Sequence, residues 1–271
     1  MKAITHLKLL LAALAAFVCP SLAHADLQVF PTRVVLSDGE KTAQVSIRHR
    51  GEKPMRYRID AVYYKMLPDG RMEQLKDLKG VADSGIEYFR FSPRQVTLEP
   101  NIEQVVRVLL RLPADAKDGE YRAHLYFEGM DEGDEKAVQG TTPTGASMML
   151  KARMAIAVPV IIRKGAPELK VALANLKTVK GAGEQLMYSV DVTREGKANL
   201  YGDFLVFHKP TGSDKEALVS QANGVSSYID KRTVSFPLTV TKLEKGTLRV
   251  EVRQPVSDGG KVIASASTDV K

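Results

Sequence analysis

Cysteine is almost absent from this chain of 271 residues, and the single one, Cys19, lies within the first 25. If that leader is removed, no thiol, disulfide or cysteine metal ligand remains, so stability has to come from buried apolar cores. Histidine is scarce too: beyond the leader there are only His49, His124 and His208. None lies within metal-ligand spacing of another and no H-E-x-x-H occurs, so each reads as a surface histidine rather than a ligand. A G-x-S-x-G elbow, a Walker loop and a dinucleotide fingerprint are all missing. The acidic run Asp131-Glu132-Gly133-Asp134-Glu135 lacks the ligand spacing of an EF-hand and reads as a solvated loop. No cofactor, no metal and no catalytic constellation is expected.

Charge is not gathered into a block. The formal net charge of +7 falls to +5 when Lys2 and Lys8 leave with the leader, and the remainder is spread along the chain. No nucleic-acid recognition motif accompanies it, so nucleic acid is not an expected partner. Long apolar runs are missing as well. Leu9 to Val18 is about half the length a membrane-spanning helix needs, which argues against stable membrane insertion. With Lys2 and Lys8 before it and Ala23-His24-Ala25 after it, the run has the order of a cleavable secretory signal peptide. Cleavage after Ala25 is expected, leaving 246 residues in an oxidising compartment.

What is present is alternation. Ala43, Val45 and Ile47 share one face against Gln44, Ser46 and Arg48. Met55, Tyr57, Ile59, Ala61 and Tyr63 repeat the pattern, as do Val106, Val108, Leu110 and Leu112. In Tyr121, Ala123, Leu125 and Phe127 the apolar face is set against Glu120, Arg122 and His124, which read as outward. Period-two runs separated by turns such as Ser37-Asp38-Gly39, Pro68-Asp69-Gly70 and Lys117-Asp118-Gly119 indicate short half-buried strands. Leu186 to Val192, Val234 to Val240 and Leu248 to Val252 continue the style, and no helical period competes. The fold class read from this is all-β, with two β-sandwich domains. The link Arg163-Lys164-Gly165-Ala166-Pro167 divides it into a first domain over 26–163, a hinge over 164–167 and a second domain over 168–271.

The stretch 129–146 stands apart, being rich in Gly, acid, Thr and Pro, with too little apolar surface to order itself. After it, 147–162 reads as one long strand, which at about 3.3 Å per residue would extend roughly 50 Å. Met148, Leu150, Ala152, Met154, Ile156, Val158, Val160 and Ile162 share a face, with Lys151 and Arg153 opposite. Methionine suits an adaptable binding surface, and an apolar strand at a sheet edge calls for something to pair with it. Pro159 implies that the far end of this strand lacks a continuous ladder.

Three stretches carry a resemblance to a known family: Val29-Phe30-Pro31-Thr32-Arg33-Val34-Val35-Leu36, Phe91-Ser92-Pro93-Arg94-Gln95-Val96-Thr97-Leu98-Glu99-Pro100-Asn101 with Gln104 to Val108, and the strand ending Val160-Ile161-Ile162-Arg163. In order and spacing they resemble the PapD-like periplasmic pilus-assembly chaperones of chaperone–usher systems. The resemblance implies two immunoglobulin-like sandwiches in a boomerang arrangement, and a protein that binds pilus or fimbrial subunits and delivers them to an outer-membrane usher. It further implies donor-strand complementation, the strand-addition mode in which a chaperone completes an unfinished pilin sandwich. The inserting residues would be Met148, Leu150, Ala152, Met154 and Ile156. Arg33 stands where the family's opening-strand arginine anchors the subunit's C-terminal carboxylate. The family's second cation, a lysine late in the long strand, is missing here, where Ile156-Ala157-Val158-Pro159 stands. Arg90, Arg94, Arg153 and Lys151 are the alternatives. A secreted immunoglobulin-like adhesin or envelope structural module is the competing reading, and a periplasmic hydrolase has no visible constellation.

Overall fold

The computed structural model describes residues 27–130, 140–141, 147–148 and 154–271. The expected signal peptide, the acidic run at 131–135 and Leu150, Lys151, Ala152 and Arg153 lie outside the described residues. Two β-sandwiches follow one another, each with its own core. In chain order the first contains β1 (Leu27–Phe30), β2 (Val34–Ser37), β3 (Thr42–His49), β4 (Met55–Met66), β5 (Met72–Leu75), β6 (Phe89–Ser92), β7 (Gln95–Leu98), β8 (Glu103–Leu110), β9 (Gly119–Met130), β10 (Gly140–Thr141), β11 (Ser147–Met148) and β12 (Ala155–Lys164). One sheet runs β1-β3-β8-β6 and the other β2-β12-β9-β4-β5, with β7 also on β4.

The alternation in the sequence maps onto these sheets. Val45, Ile47, Ile59, Val106, Ala123, Leu125 and Phe127 point inward and are fully buried between them, which is the apolar burial that holds a sandwich together. The second sandwich contains β13 (Leu169–Lys180), β14 (Leu186–Gly196), β15 (Leu200–Pro210), β16 (Ala217–Ser227), β17 (Lys231–Pro237), β18 (Gly246–Arg253) and β19 (Val262–Val270). Its sheets, β13-β14-β17 and β16-β15-β18-β19, close over Tyr188, Val190, Phe204, Val206, Leu248 and Val250.

The first strand of the chain is split between the two sheets. β1 pairs with β3 in one, and the chain then crosses at Pro31-Thr32-Arg33 so that β2 pairs in parallel with β12 in the other, from Val34 opposite Val160 to Ser37 opposite Arg163. β2 therefore covers only the second half of β12. From Ala155 to Pro159 that edge has no strand beside it among the described residues.

Two expectations about this strand are corrected. It is not one strand over 147–162. Ser147–Met148 pairs with Gly140–Thr141 in a separate two-stranded sheet, and the strand in the sandwich begins at Ala155. Nor does Pro159 interrupt the ladder, which runs on β9 without a register shift from Ala155 opposite Glu128 to Lys164 opposite Gly119. Gly129 N–H donates to Met154 O at 3.4 Å, and bonded pairs alternate along an antiparallel ladder. Ile156, Val158 and Val160 thus bond to β9, while Ala155, Ala157 and Pro159 direct their backbone groups to the open edge. Proline is tolerated because the N–H it lacks would have faced outward.

The sandwiches meet through the polar face of β9. Glu120 has a fully buried side chain that accepts from Arg163 Nε at 2.5 Å and from Asn199 N–H of the second sandwich at 2.5 Å. Close by, Lys197 and Ala198 N–H donate to Glu168 O at 3.1 and 3.0 Å, tying the link to the second sandwich. This turn requires Gly196, whose φ of +101° is left-handed and whose Cβ, were there one, would lie 2.3 Å from Glu168 O. Thr233 N–H to Pro68 O at 3.1 Å adds a further bond across the junction.

Glu120→Gln keeps the shape of this contact and removes its charge. It should lower stability by about 1–3 kcal/mol, since a charge-assisted bond becomes neutral and one donor loses its acceptor. Urea unfolding of the purified chain checks this, and an unchanged midpoint would show that the carboxylate contributes nothing at the junction.

Candidate functional site

The outer face of the β2-β12-β9-β4 sheet is polar where the second sandwich comes down on it. Because the core face of β12 carries Ile156, Val158, Val160 and Ile162, the opposite face carries Ala157, Pro159, Ile161 and Arg163, beside His124, Arg122 and Glu120 of β9. Arg33 precedes Val34, which is buried in the core, and its side chain lies on this outer face.

A cleft of about 400 Å³ opens there, lined by Thr32, Arg33 and Pro159 from the first sandwich and Tyr201, Asp203, Asn223, Gly224 and Ser226 from the second. The Arg33 guanidinium stacks 4.1 Å from the Tyr201 ring centroid. Its Nε and one terminal nitrogen are buried without a hydrogen-bond partner. Burial lowers its pKa from the ordinary value and neighbouring Arg163 acts in the same direction, opposed by Tyr228 and Glu120. An arginine nevertheless stays charged, so the cleft presents an under-compensated cation. Gly224, at φ +66°, turns the chain so closely that a Cβ would lie 3.0 Å from the Tyr201 hydroxyl, and its N–H is held by Asp203 Oδ1 at 2.8 Å.

Beside it lies a second cavity of about 430 Å³, which shares Pro159, Asn223, Gly224 and Ser226 with the first. Below the two sits Arg122, 2 % exposed. It donates to the Tyr63 hydroxyl at 2.7 Å and Tyr64 O at 3.0 Å, and lies 4.0 Å from the Tyr228 ring centroid. Burial pushes Tyr63 up to about 12, so its hydroxyl remains protonated and donates to Asp83 at 2.7 Å. Arg122 is thus a bonded pillar between the sandwiches.

Of the residues expected from sequence, Arg33 alone lines a cleft among the described residues. Arg90 is turned onto its own backbone, donating to Glu87 O and Phe89 O at 3.1 and 3.0 Å, and Arg94 stacks 4.8 Å from the Phe91 ring, so neither reaches the site. Met154 is 65 % exposed at the start of the open edge, while Ile156 is half-buried against the core. The histidines are corrected: His49, His124 and His208 are all buried. His49 bonds the Tyr57 hydroxyl at 2.8 Å, and His208 contacts Glu244 O at 3.0 Å. His124 was read as outward, and it is, but the second sandwich covers that face. Among the described residues no group of three or more His, Cys, Asp or Glu could hold a metal ion. Sequence reasoning did not point to Tyr201, Asn223, Tyr228 or Arg232, because nothing in strand periodicity says which outward residues of one sandwich meet another.

No protein-family model matches the sequence, and no curated protein matches it. Solved structures similar to the chain include several chaperones. The YadV chaperone is 12 % identical with a TM-score of 0.46 over 91 % of this chain and 100 % of that one. The class 5 fimbriae chaperone CfaA is 12 % identical with a TM-score of 0.44 over 90 % and 99 %. The CupB2 chaperone of Pseudomonas aeruginosa is 15 % identical with a TM-score of 0.42 over 89 % and 98 %.

Burial depresses the His124 pKa to about 3, with Arg122 acting in the same direction. The unfolded chain, with an ordinary histidine near 6.5, therefore binds the proton first as pH falls. Stability should decline from about pH 6.5 toward pH 3, by on the order of 2–3 kcal/mol at pH 4.5 from this residue. Unfolding midpoints across that range should fall less steeply for His124→Gln; parallel curves would mean that the histidine protonates freely in the folded protein.

Proposed function

We propose that this chain is a periplasmic chaperone of the chaperone–usher type. It acts by binding, holds pilus or fimbrial subunits by adding a strand to them, and passes them to an outer-membrane usher. The observation that carries the reading is the position of Arg33 at the end of the open β12 edge. β2 runs parallel to β12 and begins at Val34, where the open edge stops. A partner strand laid along Ala155–Pro159 in the same direction is collinear with β2, and its C-terminus arrives at Arg33. There a terminal carboxylate meets a cation whose buried nitrogens lack partners, a pairing that contributes roughly 1.5–3 kcal/mol when shielded.

The open edge supplies the rest. Ala155 and Ala157 offer outward N–H and C=O groups for main-chain pairing, which gives strand addition its affinity. Met154 and Ile156 share one face of this alternation, so these are the side chains offered to a partner's apolar groove. The domain division at 164–167 and the signal peptide over 1–25 belong to the same proposal.

Co-expression with a pilin-like subunit should yield a soluble one-to-one complex. Arg33→Ala should reduce its recovery at least about tenfold with the melting temperature of the free protein little changed; wild-type capture would remove Arg33 from the site. Met154 is exposed, so Met154→Asp should leave the fold intact yet weaken capture by burying a charge in the groove. Undiminished complex would mean that another edge is used.

A further inference from the structure

The second cavity lies against the same open edge as Arg33 and is not accounted for by a carboxylate there. Its walls are apolar, from Met66, Val225 and Phe236, with the rings of Tyr64 and Tyr228. One cation enters it, Arg232 of β17, which is tied through one terminal nitrogen to Ser226 O and whose Nε is buried without a partner. The remaining polar wall is His124, held neutral by burial and with its Nδ1 unpartnered, together with Asn223 and Ser226. Among the described residues no carboxylate lines the cavity; Asp69, the acid that acts on Arg232, is bonded to Arg71 Nε at 2.6 Å.

The position of the cavity decides what can enter it. Ala157 and Pro159 form part of its wall, and they lie on the face of β12 turned away from the core. Side chains of a strand added along this edge alternate between the core side and the Ala157 side. One side chain in every two therefore points toward the cavity, and near Arg33 it belongs to the last residues of that strand. We propose that this cavity is a specificity pocket for a side chain within the last two residues of the bound strand. It selects an apolar stem with an anionic end, glutamate, whose carboxylate meets Arg232. The inference rests on the strand-addition reading and adds to it a second, side-chain criterion.

Five-residue peptides of β-branched residues with a free C-terminal carboxylate test it, carrying Glu or Gln at the last or second-last position. Titrated onto the full chain by calorimetry, the better-placed Glu peptide should bind about five- to tenfold more tightly than its Gln counterpart. Arg232→Met should abolish that ratio, and Arg232→Lys should keep most of it, with melting temperatures recorded to verify folding. Arg33→Met should weaken both peptides while preserving the ratio. Equal binding of the Glu and Gln peptides by the wild-type chain, or a ratio that survives Arg232→Met, overturns the pocket. A C-terminally amidated Glu peptide separates the two levels: if it binds as well as the free acid, the carboxylate reading of Arg33 fails instead.

Discussion

The arrangement of the first sandwich depends on one crossover. Because the chain leaves one sheet after Phe30 and enters the other at Val34, the strand that would have covered the whole of β12 covers only its second half. A continuous β2 would have closed the edge and left Arg33 as an ordinary strand residue. With the crossover, Arg33 is the point at which the chain's own pairing ends and pairing with another chain can begin. Unpaired edges are a hazard that most folds suppress. Here the only relief built into the described part of the edge is Pro159, which removes a single outward donor next to β2.

The second sandwich makes this edge specific. Alone, the outer face of β9 and β12 would be a solvated polar surface, and Glu120, Arg122 and His124 would be unremarkable side chains. Under the second sandwich they are buried, and each solves that burial differently. Glu120 gains two donors, one from each sandwich. Arg122 gains a hydroxyl, a carbonyl and the face of Tyr228. His124 takes the cheaper route open to histidine and stays neutral. The junction is therefore held by compensated polar groups rather than by a shared apolar core, and the cleft lies where that compensation stops.

The strands were legible in the sequence because period-two alternation reports which residues face a core, and Tyr57, Ile59, Val106 and Leu125 all do. Arg33 was reached through a resemblance rather than through physics, since nothing in a T-R-V stretch states that the arginine will be buried. The same limit explains the misplaced histidines. Alternation identifies the face of a sheet opposite its core, but whether that face meets water or a second domain depends on contacts between residues far apart in the chain, such as Glu120 with Asn199, 79 positions on. Arg90 and Arg94 failed to join the site for a related reason. Arg90 is on β6 in the other sheet, and Arg94 lies in the link to β7, its carbonyl bonded to Ile59 of β4, the strand on the far side of β9 from β12; both placements are set by topology and invisible in local pattern.

Among the described residues, Arg33, Arg122, Arg194 and Arg232 each hold a buried nitrogen without a partner, and the four are not equivalent. Arg194 donates to Gly196 O, Ala198 O and Asp230, which is ample compensation for one missing bond. Arg122 is bonded and stacked. Arg232 keeps one carbonyl, and Arg33 stacks on the ring of Tyr201 but donates no hydrogen bond from its guanidinium to any described residue. A buried charge is tolerated in proportion to the partners it finds. Ranked in this way, compensation falls from the structural arginines to Arg232 and then to Arg33, and the two least satisfied are those that line cavities. An anion brought to Arg33 by a strand on the β12 edge relieves a cost the free protein already carries, so main-chain pairing and charge neutralisation reinforce each other at one end of one strand.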